Sequence, residues 1–104
     1  MLVDMRTYTI HPGRMQEFLA AYEKEALPLQ MEHLGNLIGY FVTEVGPLNQ
    51  VIHLWGYQDA ADRERRRGNL LADQRFLQLG DRMYHLVQAQ ENKLLRPTAF
   101  SPIR

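Results

Sequence analysis

The sequence predicts one α+β domain in which helices cover one face of a four-stranded antiparallel sheet. Strand-like runs of β-branched and aromatic residues lie at Leu2–Ile10, across Leu37–Tyr57 and at Leu86–Leu95. Helical apolar patterns separate the first strand from the central pair and the central pair from the last strand. A chain of 104 residues suits a single small domain with a modest core, so we take residues 1–104 as one domain.

The first strand, Leu2–Ile10, ends at Pro12-Gly13. Side chains alternate between the faces of a strand. One face is therefore expected to carry Leu2, Asp4, Arg6, Tyr8 and Ile10, and the other Val3, Met5, Thr7 and Thr9.

The first helix is predicted from an apolar stripe with i, i+3, i+4, i+7 and i+11 spacing. The stripe consists of Met15, Phe18, Leu19, Tyr22 and Ala26. Pro28 should kink or end this helix, because its ring removes one backbone hydrogen bond and disfavours helix at the preceding residue. Leu29–Leu34 would then form one or two further turns, with Gly35 as a suitable C-cap.

A β-hairpin is predicted from Leu37–Val45 and Gln50–Tyr57, with the turn at Gly46–Asn49. Pairing of Val45 with Gln50 would place Tyr40 opposite Trp55. One face would then carry Gly39, Phe41, Thr43, Ile52 and Leu54, and the other Tyr40, Val42, Glu44, Val51, His53, Trp55 and Tyr57. Since neither face is simply polar and helices cover only one, the second face predicts an oligomer formed through the sheet.

The second helical region is predicted to begin at Asp59, an N-cap with Asp62 in the capping-box position. This helix should run to Gly68, and Asp73 could cap a shorter one containing Phe76, Leu77 and Met83. The last strand is predicted at Leu86–Leu95, with a helix over Arg82–Glu91 as the alternative, and residues 97–104 form an extended tail. The resulting order, β-α-β-β-α-β, is the ferredoxin-like arrangement.

Composition and charge exclude several classes of function. Twelve Lys and Arg balance twelve Asp and Glu, so general binding to nucleic acids or to anionic membranes is not expected. The absence of cysteine excludes disulfides, thiolate metal sites and thiol catalysis. No targeting signal precedes the first strand, and no stretch has the length of a membrane span, so we expect a cytoplasmic protein.

One set of side chains suggests a binding site: Arg6, Tyr8, Tyr40, Glu44, His53 and Trp55. It offers a cation for an anionic substrate, an imidazole that titrates near physiological pH, and an aromatic wall. His53 could act as a general base oriented by Glu44. The alternative is structural: the aromatic residues pack the sheet, as sheet aromatics usually do, and Arg6 pairs with Glu44.

The remaining histidines and arginines give weaker signals. His11, His33, His53 and His85 show no metal-binding spacing, so no metal or cofactor is predicted. The arginines at 63, 65, 66 and 67 favour a solvated helix face with Asp59–Arg63 and Asp62–Arg66 pairs. The alternative is an anionic ligand held by one or two of them, above all Arg63, turned toward the sheet.

An ordered set of short motifs resembles the NIPSNAP family of the dimeric α/β-barrel superfamily. The motifs are Arg6-Thr7-Tyr8, Pro12-Gly13, Gly39-Tyr40-Phe41, Glu44-Val45-Gly46, Leu48-Asn49-Gln50-Val51, His53-Leu54-Trp55 with Tyr57, Arg63, Glu91-Asn92 and Leu95-Arg96-Pro97. The resemblance implies a homodimer with two sheets packed face to face, and it implies no single reaction. The wider superfamily includes cofactor-free monooxygenases, haem-degrading enzymes and isomerases.

The sequence thus predicts a homodimer that binds or transforms a small molecule in a cleft between sheet and helices. Its polar contacts would come from His53, Arg6 and Tyr8, with Tyr40, Glu44, Trp55 and Arg63 as further ligand-binding candidates. The alternative is a non-catalytic binding or scaffold protein whose aromatic residues serve the dimer. A weaker alternative, by positional analogy with the superfamily, is haem binding through His85 or monooxygenase-like chemistry without a cofactor.

Overall fold

A computed structural model describes the whole chain, residues 1–104. The strands are β1 (Leu2–Ile10), β2 (Leu37–Val42), β3 (Gln50–Tyr57) and β4 (Val87–Leu95). The helices are α1 (Met15–Ala21), α2 (Leu27–His33), α3 (Ala60–Ala72) and α4 (Gln74–Leu77), with a π-helical segment at Tyr22–Ala26 and a 3-10 turn at Tyr84–Leu86. The strands form one antiparallel sheet in the order β2-β3-β1-β4. This order confirms the predicted ferredoxin-like α+β fold.

The helices cover one face of the sheet, and the main core lies between them. The buried residues of this core are Tyr8, Ile10, Phe18, Tyr22, Ala26, Val51, Leu79, Met83 and Leu86. Tyr8 and Ile10 reach it from β1, as alternation predicted. No helix is long and apolar enough to cross a membrane.

Pro28 does not end the first helical region, which was one of the two outcomes expected from the sequence. The chain stays helical from Met15 to His33, and Pro28 lies in the first turn of α2, directly after the π-helical segment. The wider π-helical turn accommodates the ring, so the missing N–H does not break the helix. Gly35 follows with a φ of +85°, the left-handed conformation expected after a helix C-terminus.

The hairpin has the predicted faces but a different register. β2 ends at Val42, three residues before the predicted end, and Tyr40 lies opposite His53 rather than Trp55. The connecting loop is therefore longer than predicted, and it places Glu44 in solvent. Because the register differs by two residues, each side chain stays on its predicted face.

The predicted caps of the second helical region are confirmed. The Asp59 carboxylate accepts a hydrogen bond from the Asp62 N–H over 2.8 Å, and Asp73 caps α4 through the Arg75 N–H over 2.9 Å. The helix α3 continues past Gly68 to Ala72, whereas α4 ends at Leu77, before Met83. The strand β4 forms in place of the alternative helix. The tail is not extended throughout, because a turn joins the Ser101 N–H to the Thr98 carbonyl.

Candidate functional site

One row of side chains crosses the helix-covered face of the sheet through all four strands. Tyr40 on β2 lies opposite His53 on β3, His53 lies opposite Arg6 on β1, and Arg6 lies opposite Asn92 on β4. The four residues therefore form a continuous row from one sheet edge to the other. Three of them, Tyr40, His53 and Arg6, are residues that the sequence suggested for a binding site.

A fully buried carboxylate lies beside this row. Asp4 accepts hydrogen bonds from Arg6 Nη1 over 3.2 Å, Arg63 Nε over 3.0 Å and Asn92 Nδ2 over 3.0 Å. Burial by itself would raise the pKa of Asp4, but the bonds from Asn92 and Arg63 and the charge of Arg6 hold the pKa below its usual value. Asp4 therefore stays ionised and joins β1, β4 and α3.

Two arginines of α3 face the sheet. Arg63 and Arg67 are four residues apart, so they share one side of the helix, and both are half-buried. Arg63 binds Asp4, whereas Arg67 makes no hydrogen bond or ion pair within the chain. Burial and the nearby charge of Arg6 both lower the pKa of Arg67. Two guanidinium groups thus bind the carboxylate of Asp4, and a third, that of Arg67, lies near them without an acidic partner.

His53 is buried and neutral. Its Nδ1 atom accepts a hydrogen bond from Trp55 Nε1 over 2.8 Å, so the ring proton is on Nε2. Burial and the charge of Arg6 lower the pKa of His53 to about 3. With its Nδ1 lone pair engaged, the ring offers a hydrogen-bond donor at Nε2 rather than a general base, and Nε2 has no partner.

Tyrosines surround His53. Tyr40 stacks on the imidazole at 4.8 Å between ring centres, Tyr8 meets it edge-on at 4.9 Å, and Tyr22 contacts Tyr40 at 4.6 Å. The hydroxyls of Tyr40 and Tyr57 are buried without a hydrogen-bond partner. Burial raises the pKa of both hydroxyls, so they remain neutral donors.

Cavities open at both ends of this region. One, of about 400 Å³, lies between α1 and β2 and is lined by Tyr22 and Tyr40. The other, of about 580 Å³, lies near the end of β3 and is lined by Tyr57, Asp62 and Arg66. Space therefore lies beside Tyr40 on one side of the region and beside Tyr57 on another.

Most of the residues suggested by the sequence come together, and Glu44 does not. Arg6, Tyr8, Tyr40, His53, Trp55 and Arg63 all lie between sheet and helices. Glu44 is exposed in the hairpin loop, so neither the His53–Glu44 pair nor the Arg6–Glu44 pair forms. Arg6 binds Asp4 in its place.

The sequence reasoning missed Asp4, Tyr57 and Asn92 as members of the site, and it named Arg67 only within the group of arginines of which one or two could hold an anionic ligand. Alternation had placed Asp4 next to Arg6, and Tyr57 on the same face as His53 and Trp55, which was the available signal. The predicted pair between Asp62 and Arg66 is confirmed at 2.9 Å, but Asp62 is buried rather than solvated, and it also binds Arg65. The predicted Asp59–Arg63 pair is absent, because Arg63 turns to Asp4.

The other histidines lie outside this region. His85 is exposed on the 3-10 turn. His33 binds Asp73 over 2.8 Å next to Glu32, but Arg75 already pairs with both of these carboxylates. The group of Glu32, His33 and Asp73 is therefore an ion-pair network at the surface.

Fold and site together define an α+β protein of ferredoxin-like fold with arginine, histidine and tyrosine side chains clustered between sheet and helices. The chain belongs to the NIPSNAP family, whose model matches residues 3–102. A NIPSNAP family protein from Agrobacterium tumefaciens has a solved structure with a TM-score of 0.96 at 50% identity, over 99% of this chain and 98% of that one. A NIPSNAP-like domain protein from Burkholderia xenovorans matches with a TM-score of 0.93 at 44% identity, over 97% and 88%.

The similarity extends to longer eukaryotic proteins. NipSnap homolog 2 of Danio rerio is 27% identical over 99% of this chain, which corresponds to 35% of that protein. The chain thus spans about a third of the length of this relative. A structure described as an antibiotic biosynthesis monooxygenase shares the fold, with a TM-score of 0.66 at 19% identity.

Proposed function

We propose that the protein binds a small molecule in the cleft between sheet and helices, with one site per subunit. The observation that supports this most is the set of three buried polar atoms without partners: Tyr40 Oη, His53 Nε2 and Tyr57 Oη. Nearly all buried polar atoms in folded proteins have a hydrogen-bond partner, and one left without costs about 1–3 kcal/mol. A bound molecule would supply the missing acceptors.

The chemistry of these groups favours binding over proton transfer. His53 is neutral with its lone pair engaged by Trp55, and the two hydroxyls are held in their protonated form. All three groups can therefore donate a hydrogen bond to a ligand without a change of charge. Tyr8 and Tyr22 supply apolar ring surface around them.

A second candidate is a non-catalytic scaffold in which these aromatic residues serve only packing. The burial of Trp55 in a cluster with Leu34, Tyr57 and Leu70 favours it. The two candidates differ in what they assign to the unpartnered hydroxyls. In a scaffold these hydroxyls form no hydrogen bond, whereas in a binding site they donate hydrogen bonds to the ligand.

We also infer that the protein is a homodimer formed through the sheet face that the helices leave open. That face carries Phe41, which is 57% exposed, with Ile52 and Leu54 half-buried beside it. Apolar side chains on an uncovered sheet face favour a second layer. A second copy of the same sheet would supply this layer.

A thermal-shift screen with matched hydroxyl deletions tests the binding proposal. A small-molecule library is screened on the wild type, and each hit is titrated against Tyr40→Phe/Tyr57→Phe and against Tyr22→Phe. The Tyr22 hydroxyl already donates to Gln30, so its loss should leave ligand affinity unchanged. We expect the double variant to bind the hits at least about tenfold more weakly, as the loss of two hydrogen bonds implies. A library without hits, or hits that bind the double variant with wild-type affinity, would favour the scaffold.

A further inference from the structure

We propose that the molecule bound in this cleft carries an oxyanion, a carboxylate or a phosphate group, and that Arg67 is the residue that binds it. The inference rests on the proposed small-molecule site and names the chemical class of its ligand. It starts from the positive charge of the cleft, which the protein itself does not balance.

Both oxygens of the Asp4 carboxylate already accept hydrogen bonds from other residues. Its Oδ2 accepts from Arg6 and Arg63, and its Oδ1 accepts from Asn92. Arg6 and Arg63 share this one carboxylate, and the charges of both act on Arg67, so the three arginines and Asp4 together leave a balance of two positive charges. Since buried charges are ordinarily paired, this surplus calls for an anion.

Arg67 carries the unpaired part of this charge. Among the half-buried arginines, Arg6 and Arg63 bind Asp4 and Arg66 binds Asp62, whereas Arg67 has no ionic partner. All the N–H groups of its planar guanidinium are therefore available. That geometry matches the two oxygens of a carboxylate or phosphate, which it can bind through two parallel hydrogen bonds.

An independent observation points to the same place. The Tyr57 hydroxyl is buried and without a partner. Among the charged residues, Arg67 has the largest effect on the pKa of this hydroxyl, which its positive charge lowers. An oxyanion at Arg67 could accept a second hydrogen bond from Tyr57 Oη. One anionic group would thus pair the free guanidinium and also satisfy the orphaned hydroxyl.

Calorimetric titration with three defined probes tests this inference. The probes are benzoate, benzamide as its neutral counterpart, and inorganic phosphate, at constant ionic strength. The variants are Arg67→Gln and, as a matched control on the same helix, Arg65→Gln, whose exposed side chain is already paired with Asp62.

We expect the wild type and Arg65→Gln to bind benzoate or phosphate, and Arg67→Gln to bind it about tenfold to a hundredfold more weakly, the range for a charge-assisted hydrogen bond. Binding of benzoate alone identifies a carboxylate ligand, and binding of phosphate alone a phosphate ligand. Equal affinity of wild type and Arg67→Gln for the anion, or no binding of either anion, would overturn the assignment. Binding of benzamide as tight as that of benzoate would also overturn it, while leaving the small-molecule site itself supported.

Discussion

Trp55 donates a hydrogen bond to His53 across two positions of β3, with 2.8 Å between Nε1 and Nδ1. This bond fixes the tautomer of a buried, neutral histidine and leaves its Nε2–H as a free donor among the tyrosines. Trp55 therefore acts in two ways: its ring packs in the core, and its N–H determines which hydrogen bond His53 can offer.

Replacement of Trp55 by Phe should remove the hydrogen bond to His53 Nδ1 while keeping most of the packing of the ring. His53 Nδ1 would then be a buried acceptor without a partner, so we expect a loss of about 1–3 kcal/mol in the free energy of unfolding. Nitrogen NMR of the histidine ring should show a mixture of tautomers in the variant and one tautomer in the wild type. A single, unchanged tautomer in Trp55→Phe would contradict the role assigned to this bond.

The free energy of unfolding should decrease as the pH is lowered, because His53 is neutral in the fold and takes up a proton on unfolding. Its pKa is lowered to about 3 in the folded chain from about 6.5 in the unfolded chain, so the unfolded state binds the proton more readily. The histidine therefore stabilises the fold fully above pH 6.5, and this contribution is lost as the pH falls from 6.5 toward 3. At the steep part of this window we expect the free energy of unfolding to drop by about 1.4 kcal/mol per pH unit.

Denaturant unfolding at pH 7.0, 6.0 and 5.0 measures this dependence. The variant His53→Gln keeps a polar side chain and removes the titration, so its stability should change much less over the same interval. An equally steep decline in His53→Gln would assign the pH dependence to other groups.

Asp4→Asn should be among the most destabilising single substitutions in the chain. The change leaves the half-buried charges of Arg6 and Arg63 without their counter-ion, and breaking a buried pair in this way costs about 3–5 kcal/mol. Chemical denaturation of the variant measures the effect. Glu17→Gln is the matched control, since it breaks an exposed pair with Arg14, and it should change stability far less. Similar small effects of both substitutions would show that Asp4 does not anchor the cluster.

For the ligand-free protein we expect that loss of an unpartnered hydroxyl does not destabilise the fold, unlike loss of a hydroxyl that has a hydrogen-bond partner. Tyr57→Phe removes a buried hydroxyl that has no partner, so the melting temperature should stay the same or rise. Tyr22→Phe removes a hydroxyl bound to Gln30, so the melting temperature should fall. A marked loss of stability in Tyr57→Phe would indicate that its hydroxyl already has a partner, and one support for the binding site would disappear.

The dimer proposal leads to a test on the open sheet face. Phe41→Lys places a charge on this face at an exposed apolar position of the edge strand β2, so light scattering after gel filtration should report a monomer at micromolar concentration. Leu48→Lys is the control, because Leu48 is 70% exposed in the hairpin loop and should not affect assembly. A Phe41→Lys protein that stays dimeric would move the interface away from this face.

The sequence predicted the fold well because its signals are local and periodic. Alternation along β1 placed Asp4, Arg6 and Tyr8 on one face, and the hairpin faces were correct even though the register was not, since the error was two residues. The register itself depends on how the loop between Val42 and Gln50 closes, which residue types alone leave open.

The site was harder to predict because it depends on contacts between distant elements. The sequence offered Arg63 either a pair with Asp59 or a position turned toward the sheet, and only the packing of α3 on the sheet brings it to Asp4. The same packing leaves Arg67 unpaired. Glu44 was misplaced for the same reason, since its position depends on where β2 ends.

Native mass spectrometry of freshly purified protein tests the central claim most directly, because it reports bound small molecules and the number of subunits together. We predict a dimer with an added small-molecule mass that is reduced or absent in Tyr40→Phe/Tyr57→Phe. An unmodified mass for the wild type, unchanged by any anion or library compound that is added, would contradict the claim that this cleft is a binding site.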